Sequence, residues 1–359
     1  MSIVACWAGG KGRAVVAAWL LSAGLIGAAW ARTEPSTLRA EADRLGLRIG
    51  CAAWEMGMQD REPAYTETLS REFNLVATRG QLCTGNVQRK RGSFNFAESD
   101  KVFDFARKHG MKVWGHCLLS SQDNVATLPD WIKNGGFSRE GLLAIMREHL
   151  HTVIGRYRGQ AFAWSVVNEP MKQNCFWRKN VGEDWIECAL RFAHEADPAA
   201  TLLINEYKVE RGALDGEKGT AFYRQVKSMK ERGVPIHAVG FQSYFDVTTN
   251  IEDVKRAMNL YADIGVNVHV TELAVRVYSD TPTSHQLRRQ AEFYRSFLKA
   301  CLEAPNCEVL TVFGVTDKLH WLVVRGEKES PVLLDRQYQP KPAYFALLEE
   351  LKATSSRRK

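Results

Sequence analysis

The chain alternates between short apolar runs and longer segments in which apolar residues recur at helical spacing. Each apolar run is four to seven residues long and rich in aliphatic side chains, which is typical of strands buried on both faces. The eight predicted strands are residues 47–52, 75–78, 112–116, 163–168, 202–205, 238–242, 266–271 and 309–315. Because no block of consecutive strands interrupts the alternation, the pattern predicts a parallel sheet with right-handed crossovers.

The segments between these runs predict amphipathic helices. In residues 98–109, Val102, Phe103 and Phe105 supply an apolar face, and Gly110 supplies a stop signal. Further helices are predicted at residues 139–157, 185–196, 218–232, 251–264 and 284–302. Eight strand–helix units in about 310 residues favour an α/β fold with a single (β/α)8 TIM barrel. An open doubly wound sheet is the alternative, although no G-x-G-x-x-G follows the first strand as a dinucleotide site would require.

The first 31 residues have the features of an export signal. Lys11 and Arg13 precede an apolar run, and Ala29-Trp30-Ala31 fits the small-x-small pattern of a cleavage site. We therefore expect a signal peptide at residues 1–31, a catalytic domain at residues 32–359 and a secreted or periplasmic location. The apolar run is short for a transmembrane helix, so stable membrane insertion is not expected; an uncleaved anchor and a core helix are the alternatives.

Composition and charge exclude several classes of protein. Hydrophobic residues make up 45% and charged residues 25% of the chain, which excludes disordered, collagenous and polytopic membrane proteins. The net charge of +7 is mild and diffuse, so no nucleic acid is expected as a partner. Outside the C-terminal tail, Arg89-Lys90-Arg91 is the only run of three cations. This run is interpreted either as a solvated loop or as a preference for an acidic ligand.

The cysteines favour a small disulfide loop and no metal site. Cys301 and Cys307 are close in sequence and flank Pro305, so we expect them to pair if the protein is exported. Cys175 and Cys188 are the next candidates for a disulfide. The sequence has no C-x-x-C motif and no Cys/His cluster with zinc spacing, and we expect neither a metal nor a cofactor.

The ends of the fourth and seventh predicted strands carry the residues that indicate chemistry. These strands end in Asn168-Glu169-Pro170 and Thr271-Glu272-Leu273, which places both glutamates at the carboxyl face of a barrel. Each glutamate could instead cap a helix or pair with an arginine, because a carboxylate beside an apolar strand is costly without partners. Glycoside hydrolysis requires two such carboxylates, one to donate a proton and one to attack. Asn168 is a candidate to bind a sugar 2-hydroxyl.

Several collinear motifs resemble glycoside hydrolase family 10, the family of many endo-1,4-β-xylanases. They are residues 164–170 (WSVVNEP), 270–273 (VTEL), 314–317 (GVTD) with Trp321, 333–335 (LLD) with Tyr338, 340–344 (PKPAY), and 94–96 (FNF) with Asp100. The similarity covers roughly residues 40–350 in the same order. It implies a (β/α)8 barrel, a retaining double displacement and no cofactor.

The resemblance also implies roles for individual residues. Glu169 matches the family's acid/base and Glu272 its nucleophile. His116 matches a histidine that lines the glycone site, Gln242 a glutamine near the nucleophile, and Trp321 an aromatic platform for the sugar ring. The alternatives are a hydrogen-bonded structural histidine for His116 and a core position for Trp321. Asn205, at the end of the fifth predicted strand, matches a family residue that we interpret as architectural rather than catalytic.

The sequence departs from the family pattern mainly around the glycone site. The family's E-N-x-x-K after strand two is absent, and other family positions change to Ser120, Ser121 and Phe313. At the first position of that motif, Arg79 replaces a carboxylate. A guanidinium binds carboxylates bidentately, so we hypothesise that Arg79 favours an acidic sugar in the distal glycone subsite. The alternative is that Arg79 pairs with a neighbouring acid.

A second departure concerns the residues that support the nucleophile. The family's histidine after the glutamine is Tyr244, and the aspartate after T-E-L is Ala274. Because both members of that relay are lost together, neither leaves a stranded polar partner. We expect the Tyr244 hydroxyl to donate directly to Glu272 instead.

These observations predict an exported, retaining β-glycoside hydrolase that acts on a polysaccharide or oligosaccharide, by default an endo-1,4-β-xylanase. Two alternatives stay open. One is a glycanase for another β-linked polysaccharide, including an acidic bacterial one, and the other is a catalytically idle barrel that binds carbohydrate. A monomer is expected.

Overall fold

Eight parallel strands close into a barrel in the computed structural model, which describes residues 36–54, 57–58, 62–210 and 217–358. The strands are β1 (Arg48–Ala52), β2 (Leu75–Ala77), β3 (Lys112–Gly115), β4 (Leu119–Ser120), β5 (Ala161–Asn168), β6 (Thr201–Glu206), β7 (Ala238–Phe241), β8 (Tyr244–Asp246), β9 (Asn267–Arg276) and β10 (Cys307–Val312). The ring runs β1-β2-β3-β5-β6-β7-β9-β10 and closes where β10 pairs with β1. The short strands β4 and β8 pair with β5 and β9 near the carboxyl ends of those strands. The predicted (β/α)8 barrel is confirmed.

Helices connect the strands around the outside of this ring. They are α1 (Leu38–Leu45), α2 (Pro63–Glu72), α3 (Thr84–Val87), α4 (Ala97–Lys108), α5 (Asp130–Lys133), α6 (Arg139–Arg156), α7 (Phe176–Asn180), α8 (Trp185–Ala196), α9 (Glu217–Glu231), α10 (Ile251–Asp263), α11 (Ser284–Glu303), α12 (Trp321–Val324) and α13 (Pro342–Arg357). The predicted helices match α4, α6 and α8–α11. The prediction did not specify the other helices, which are α1, α2, α3, α5, α7, α12 and α13. α2 supplies the crossover from β1 to β2, and α13 packs against α1 and α11.

Apolar side chains form two clusters, one on each side of the barrel wall. The smaller cluster includes Leu75, Trp114 and Leu203 and occupies the barrel interior. The larger cluster lies between the strands and the surrounding helices and includes the buried ring of Trp164. Gly115 permits this arrangement, because a Cβ at that position would lie 2.2 Å from the Trp164 ring. The alternation of side chains along each strand therefore fills both layers.

One of the two expected cysteine pairs is present. Cys301, near the end of α11, forms a disulfide with Cys307, the first residue of β10, as predicted. The second pairing was wrong, since Cys175 and Cys188 are both free thiols. Cys175 is buried at the start of α7, whereas the Cys188 thiol lies 3.8 Å from a carboxylate oxygen of Asp184. Sequence spacing alone did not reveal that these two side chains have different surroundings.

The predicted signal peptide at residues 1–31 lies outside the described residues. In the part of the chain that the structure describes, no helix combines the length and the apolar character needed to span a membrane. The same described ranges contain no group of three or more His, Cys, Asp or Glu side chains that could hold a metal ion.

Candidate active site

A cavity of about 380 Å³ opens at the carboxyl face of the barrel and brings six of the eight predicted site residues together. These residues are Arg79, Glu169, Gln242, Tyr244, Glu272 and Trp321. Arg79, Glu169 and Gln242 closely follow barrel strands, whereas Tyr244 begins β8 and Trp321 begins α12. Glu272 lies within β9, which continues to Arg276 and does not end at residue 271 as predicted. All six lie toward the carboxyl ends of the barrel strands, which explains why positions far apart in sequence meet here.

Glu272 lies within β9 and is almost fully buried, with both carboxylate oxygens hydrogen-bonded. Its Oε1 accepts a hydrogen bond from Asn205 Nδ2 at 2.9 Å, and its Oε2 accepts one from the Tyr244 hydroxyl, also at 2.9 Å. The Tyr244 contact is the one that the sequence suggested. Trp321 Nε1 donates to the Tyr244 oxygen at 3.0 Å. Because an indole N–H can only donate, the phenol accepts from Trp321 and donates its own proton to Glu272.

Burial controls the ionisation of this carboxyl. It raises the pKa of Glu272 to about 7, and the negative charge of Glu169 acts in the same direction. The hydrogen bonds from Asn205 and Tyr244 and the charge of Arg79 act against this rise in pKa. Burial and the adjacent Glu272 charge raise the pKa of the Tyr244 hydroxyl well above its usual value, so the phenol stays a proton donor near neutrality.

Asn205 joins the two strand ends that carry the glutamates. Its Nδ2 donates to Asn168 Oδ1 at 2.9 Å as well as to Glu272, and its Oδ1 accepts from the Thr271 hydroxyl at 2.7 Å. Gly240 in β7 makes room for this amide, because a Cβ there would lie 2.2 Å from Asn205 Oδ1. The architectural interpretation of Asn205 was therefore too narrow, since the side chain directly contacts the predicted nucleophile.

Glu169 directly follows β5 and has a left-handed backbone conformation with φ of 55°. Non-glycine residues rarely adopt this conformation, and two contacts hold it here. The Glu169 N–H donates to the Asn205 carbonyl at 2.7 Å, and the Ser121 hydroxyl donates to the Glu169 carbonyl. The turn directs the Glu169 side chain to the cavity that Glu272 also lines.

Two glutamines donate to the Glu169 carboxylate. Gln122 Nε2 donates to Oε2, and Gln242 Nε2 lies 3.4 Å from Oε1. The sequence analysis placed Gln242 near the nucleophile, whereas its hydrogen bond is to Glu169. Sequence analysis missed Gln122. The available signal was its position directly after Ser120 and Ser121, where the short strand β4 has just ended.

Arg79 stacks on aromatic rings at one end of the cavity. Its guanidinium carbon lies 3.8 Å from the centroid of the Trp54 ring and 5.6 Å from that of Phe313, distances typical of cation–π contacts. Its positive charge also reaches the Glu272 carboxyl, where it opposes the rise in pKa that burial causes. Trp54 was not identified from the sequence.

His116 lies buried at the end of β3, in contact with Trp114, whose ring centroid is 4.8 Å away. Thr78 fixes its backbone, since the threonine hydroxyl accepts from the His116 N–H at 2.7 Å and donates to the His116 carbonyl at 2.8 Å. Burial, with a smaller effect of the Arg79 charge, lowers the pKa of His116 to about 3. The imidazole is therefore neutral at physiological pH.

A second cavity of about 380 Å³ lies on the other side of Glu169. Glu169 and Tyr207 line both cavities, whereas Glu272 lines only the first. Lys218 stacks on Tyr207, with its Nζ 3.1 Å from the ring centroid, and pairs with the buried carboxylate of Glu206 at 2.7 Å. The predicted acid/base therefore stands at the boundary between two binding spaces, and the predicted nucleophile lines only one of them.

The pair can perform a two-step displacement. A buried carboxylate held by two donors can attack a carbon centre, and a second carboxyl at the boundary can protonate a departing oxygen. Such an arrangement suits cleavage of a bond between two sugars, with one sugar in each cavity.

Comparison with known proteins agrees with this chemistry. The family model described as Glycosyl hydrolase family 10 matches residues 37–350. The chain is 33% identical to endo-1,4-beta-xylanase B of Thermotoga neapolitana over 322 residues, which cover 87% of this chain and 90% of the relative. It is 32% identical to a beta-1,4-xylanase of Dictyoglomus thermophilum over 305 residues, covering 79% and 84% of the two chains.

Two solved structures that superimpose on this chain are xylanases. The crystal structure of native xylanase 10B from Thermotoga maritima superimposes with a TM-score of 0.84 at 32% identity, covering 90% of this chain and all of the other. Xylanase 10B from Thermotoga petrophila, solved in complex with xylobiose, gives a TM-score of 0.84 at 31% identity, with coverages of 90% and 99%.

Proposed function

The chain belongs to glycosyl hydrolase family 10 and is a retaining glycoside hydrolase, and on this basis we propose that it is an endo-1,4-β-xylanase acting on xylan. The observation that carries the proposal is the placement of Glu169 and Glu272 on one cavity, with Glu169 also lining the next. The sugar whose anomeric carbon is attacked occupies the cavity of Glu272. The leaving sugar occupies the cavity beyond Glu169.

In the first step, the ionised carboxylate of Glu272 attacks the anomeric carbon. The bond from that carbon to the glycosidic oxygen breaks, and Glu169 donates its proton to the departing oxygen. The product is a covalent glycosyl ester on Glu272 with inverted configuration. Tyr244 and Asn205 hold the attacking carboxylate in place during this step, and each acts as a positioning residue.

In the second step, Glu169 removes a proton from a water molecule, which attacks the same anomeric carbon. The ester bond breaks, and Glu272 leaves as a carboxylate. Two inversions give net retention. Because Glu272 must be ionised to attack and its pKa is about 7, we expect kcat/KM to rise with pH through the neutral range.

We assign the remaining predicted residues to sugar binding on the glycone side. Asn168 binds the 2-hydroxyl of the sugar next to Glu272, and the neutral imidazole of His116 binds another hydroxyl of that sugar. Trp321 supplies an apolar ring face, Gln242 lies between substrate and Glu169, and Arg79 borders the outer part of the cavity.

The family and its endo-1,4-beta-xylanase relatives support an endo mode of action. Product sizing tests this directly, because an endo enzyme releases a range of xylo-oligosaccharides early in the reaction, whereas an exo enzyme releases one short product.

We further propose that residues 1–31 direct export and that the enzyme acts outside the cytoplasm as a monomer. The Cys301–Cys307 disulfide supports export, since disulfides persist mainly in oxidising compartments. N-terminal sequencing of protein recovered from the periplasm or medium tests the cleavage site, with Arg32 expected as the first residue. Light scattering of the purified protein tests the monomer.

The decisive experiment combines a panel of polysaccharides with proton NMR of the first product. Xylan should be cleaved faster than β-glucans and acidic bacterial polysaccharides, and the first anomer released should be β. Rapid cleavage of another polysaccharide with no action on xylan would overturn the substrate assignment. Failure to hydrolyse any member of the panel and an activated aryl β-xyloside would instead indicate a carbohydrate-binding barrel.

A further inference from the structure

A third cavity, of about 520 Å³, lies in the segment that connects β2 to α4. Its lining is polar and basic and includes Gln81, Asn86, Arg89, Lys90 and Ser93. Among the described residues, it shares no lining residue with the two cavities at the catalytic pair. Its volume falls within the range of small-molecule sites, about 300–1,000 Å³.

Hydrogen bonds to the backbone of Arg79 and Gly80 connect the lining of this cavity to the glycone end of the catalytic cavity. The Gln81 side chain accepts a hydrogen bond from the Arg79 N–H, and Asn86 Nδ2 donates to the Gly80 carbonyl at 2.8 Å. Arg79 itself lines the catalytic cavity. One short loop therefore presents Arg79 to the cleft and presents Gln81 and Asn86 to the third cavity.

The charge of the third cavity is positive. Arg89 and Lys90 are exposed, and neither takes part in an ion pair with any carboxylate of the described residues. The carboxylate that lines the cavity, Glu98, is already paired with Lys101 at 2.7 Å. Two cations beside a polar cavity are therefore available to an anion, and a guanidinium suits a carboxylate in particular because it donates two parallel hydrogen bonds.

We propose that this cavity is an accessory subsite for a uronic acid, carried by a glycan whose main chain occupies the catalytic cleft. Arg89 and Lys90 bind the carboxylate, and the amide side chains of Gln81 and Asn86 bind sugar hydroxyls. The inference rests on the proposed glycanase function and adds to it a preference for glycans that carry acidic sugars on the glycone side.

The test compares two xylo-oligosaccharides of equal main-chain length, one unbranched and one with a glucuronic acid branch. The variant is Arg89→Ala/Lys90→Ala, and the matched control is Arg107→Ala/Lys108→Ala, which removes the same two residue types from the end of α4. We expect the first variant to lose about 10- to 100-fold in kcat/KM on the acidic substrate alone, the range for losing a hydrogen bond to a charged group. The control should not change the ratio of the two substrates.

Ionic strength and charge reversal give independent readouts. The preference of the wild type for the acidic substrate should shrink as salt increases, and Arg89→Glu/Lys90→Glu should reverse it. Equal kcat/KM losses on both substrates, or no loss in the alanine variant, would overturn the inference while leaving the glycanase function intact.

If the wild type hydrolyses neither substrate, the proposed function fails. Calorimetry then tests the subsite on its own, because it measures the affinity for the acidic oligosaccharide. An affinity that is unchanged in Arg89→Ala/Lys90→Ala would refute the subsite. An affinity that falls about tenfold or more would support it. Should the alanine variant fold poorly, Arg89→Gln/Lys90→Gln keeps similar side-chain volume and gives the same comparison.

Discussion

Replacing Tyr244 with phenylalanine removes one hydroxyl from a hydrogen-bonded chain that ends on Glu272, the proposed nucleophile. Trp321 donates to the Tyr244 oxygen at 3.0 Å, and the phenol donates to Glu272 at 2.9 Å. Tyr244→Phe keeps the ring but deletes the donor that stabilises the ionised carboxylate. The pKa of Glu272 should therefore rise.

The size of the effect follows from the hydrogen bond that is lost. A hydrogen bond to a charged group contributes about 1.5–3 kcal/mol, which corresponds to about 1–2 pKa units at 1.36 kcal/mol per unit. Starting from a pKa of about 7, Glu272 would then titrate at about pH 8–9. At pH 7 the ionised fraction would fall from about one half to about 1–10%, so kcat/KM should fall about 5- to 50-fold.

The assay is the pH profile of kcat/KM on an aryl β-xyloside between pH 5 and 10. The ascending limb should lie near pH 7 in the wild type and about 1–2 units higher in Tyr244→Phe, with most of the activity recovered above pH 9. Tyr294→Phe is the matched control, because it removes a buried hydroxyl that donates to the Pro331 carbonyl at 2.8 Å. That variant should lose stability and keep the wild-type profile.

Two results would refute this reasoning. An unchanged ascending limb in Tyr244→Phe would mean that the tyrosine only packs against its neighbours. A loss of activity that is the same at every pH would mean that the hydroxyl orients Glu272 without affecting its charge.

Three further predictions concern the same pair and the disulfide. Because burial raises the pKa of Glu272 from 4.5 to about 7, its ionisation increasingly opposes folding above pH 4.5. The amide nitrogen of Glu272→Gln cannot accept the hydrogen bond that one carboxylate oxygen accepts, which adds a cost that does not depend on pH. In urea unfolding, the stability of Glu272→Gln relative to the wild type should therefore increase by about 2 kcal/mol from pH 5 to pH 8. A constant difference across this pH range would contradict the raised pKa. Glu272→Ala should be inactive and should form a glycosyl azide of inverted configuration when azide is added. Glu169→Ala should keep rapid glycosylation only for substrates with good leaving groups, because these do not need a proton donor. Equal losses of activity in both variants on activated and natural substrates would exclude these roles. Cys301→Ser/Cys307→Ser opens a loop with a sequence separation of six and should cost about 2 kcal/mol in unfolding free energy, while unchanged stability would show that the bond does not form in solution.

The position of the two glutamates that we propose as the catalytic pair followed from the sequence because it depends on local pattern. Glu169 and Glu272 each directly extend an apolar strand segment, and the alternation of strands and helices determines the face at which those strands end. The Cys301–Cys307 disulfide followed for a similar reason, because a short separation in sequence keeps the two side chains close together in space. Both inferences need only the order of residues along the chain and the alternation of strands and helices.

Two of the helices that the sequence analysis left unspecified, α1 and α13, depend on tertiary packing. They pack against each other, and α13 also packs on α11. The apolar stripe of such a helix becomes informative only when its neighbours are known, because tertiary contacts supply most of the stability of a short helix.

The choice of side-chain partners in the site was decided by the tertiary structure. Gln122 and Gln242 both donate to Glu169, although they come from different sides of the ring, and Asn205 reaches Glu272 only because Gly240 leaves room. Arg79 stacks on Trp54, which the sequence did not associate with it. The sequence determined which residues lie on or directly after the strands, since that depends on short-range pattern, although β9 continues to Arg276, beyond the predicted end at residue 271. Their hydrogen-bond partners depend on distances across the barrel of a few ångströms, and only the closed ring sets those distances.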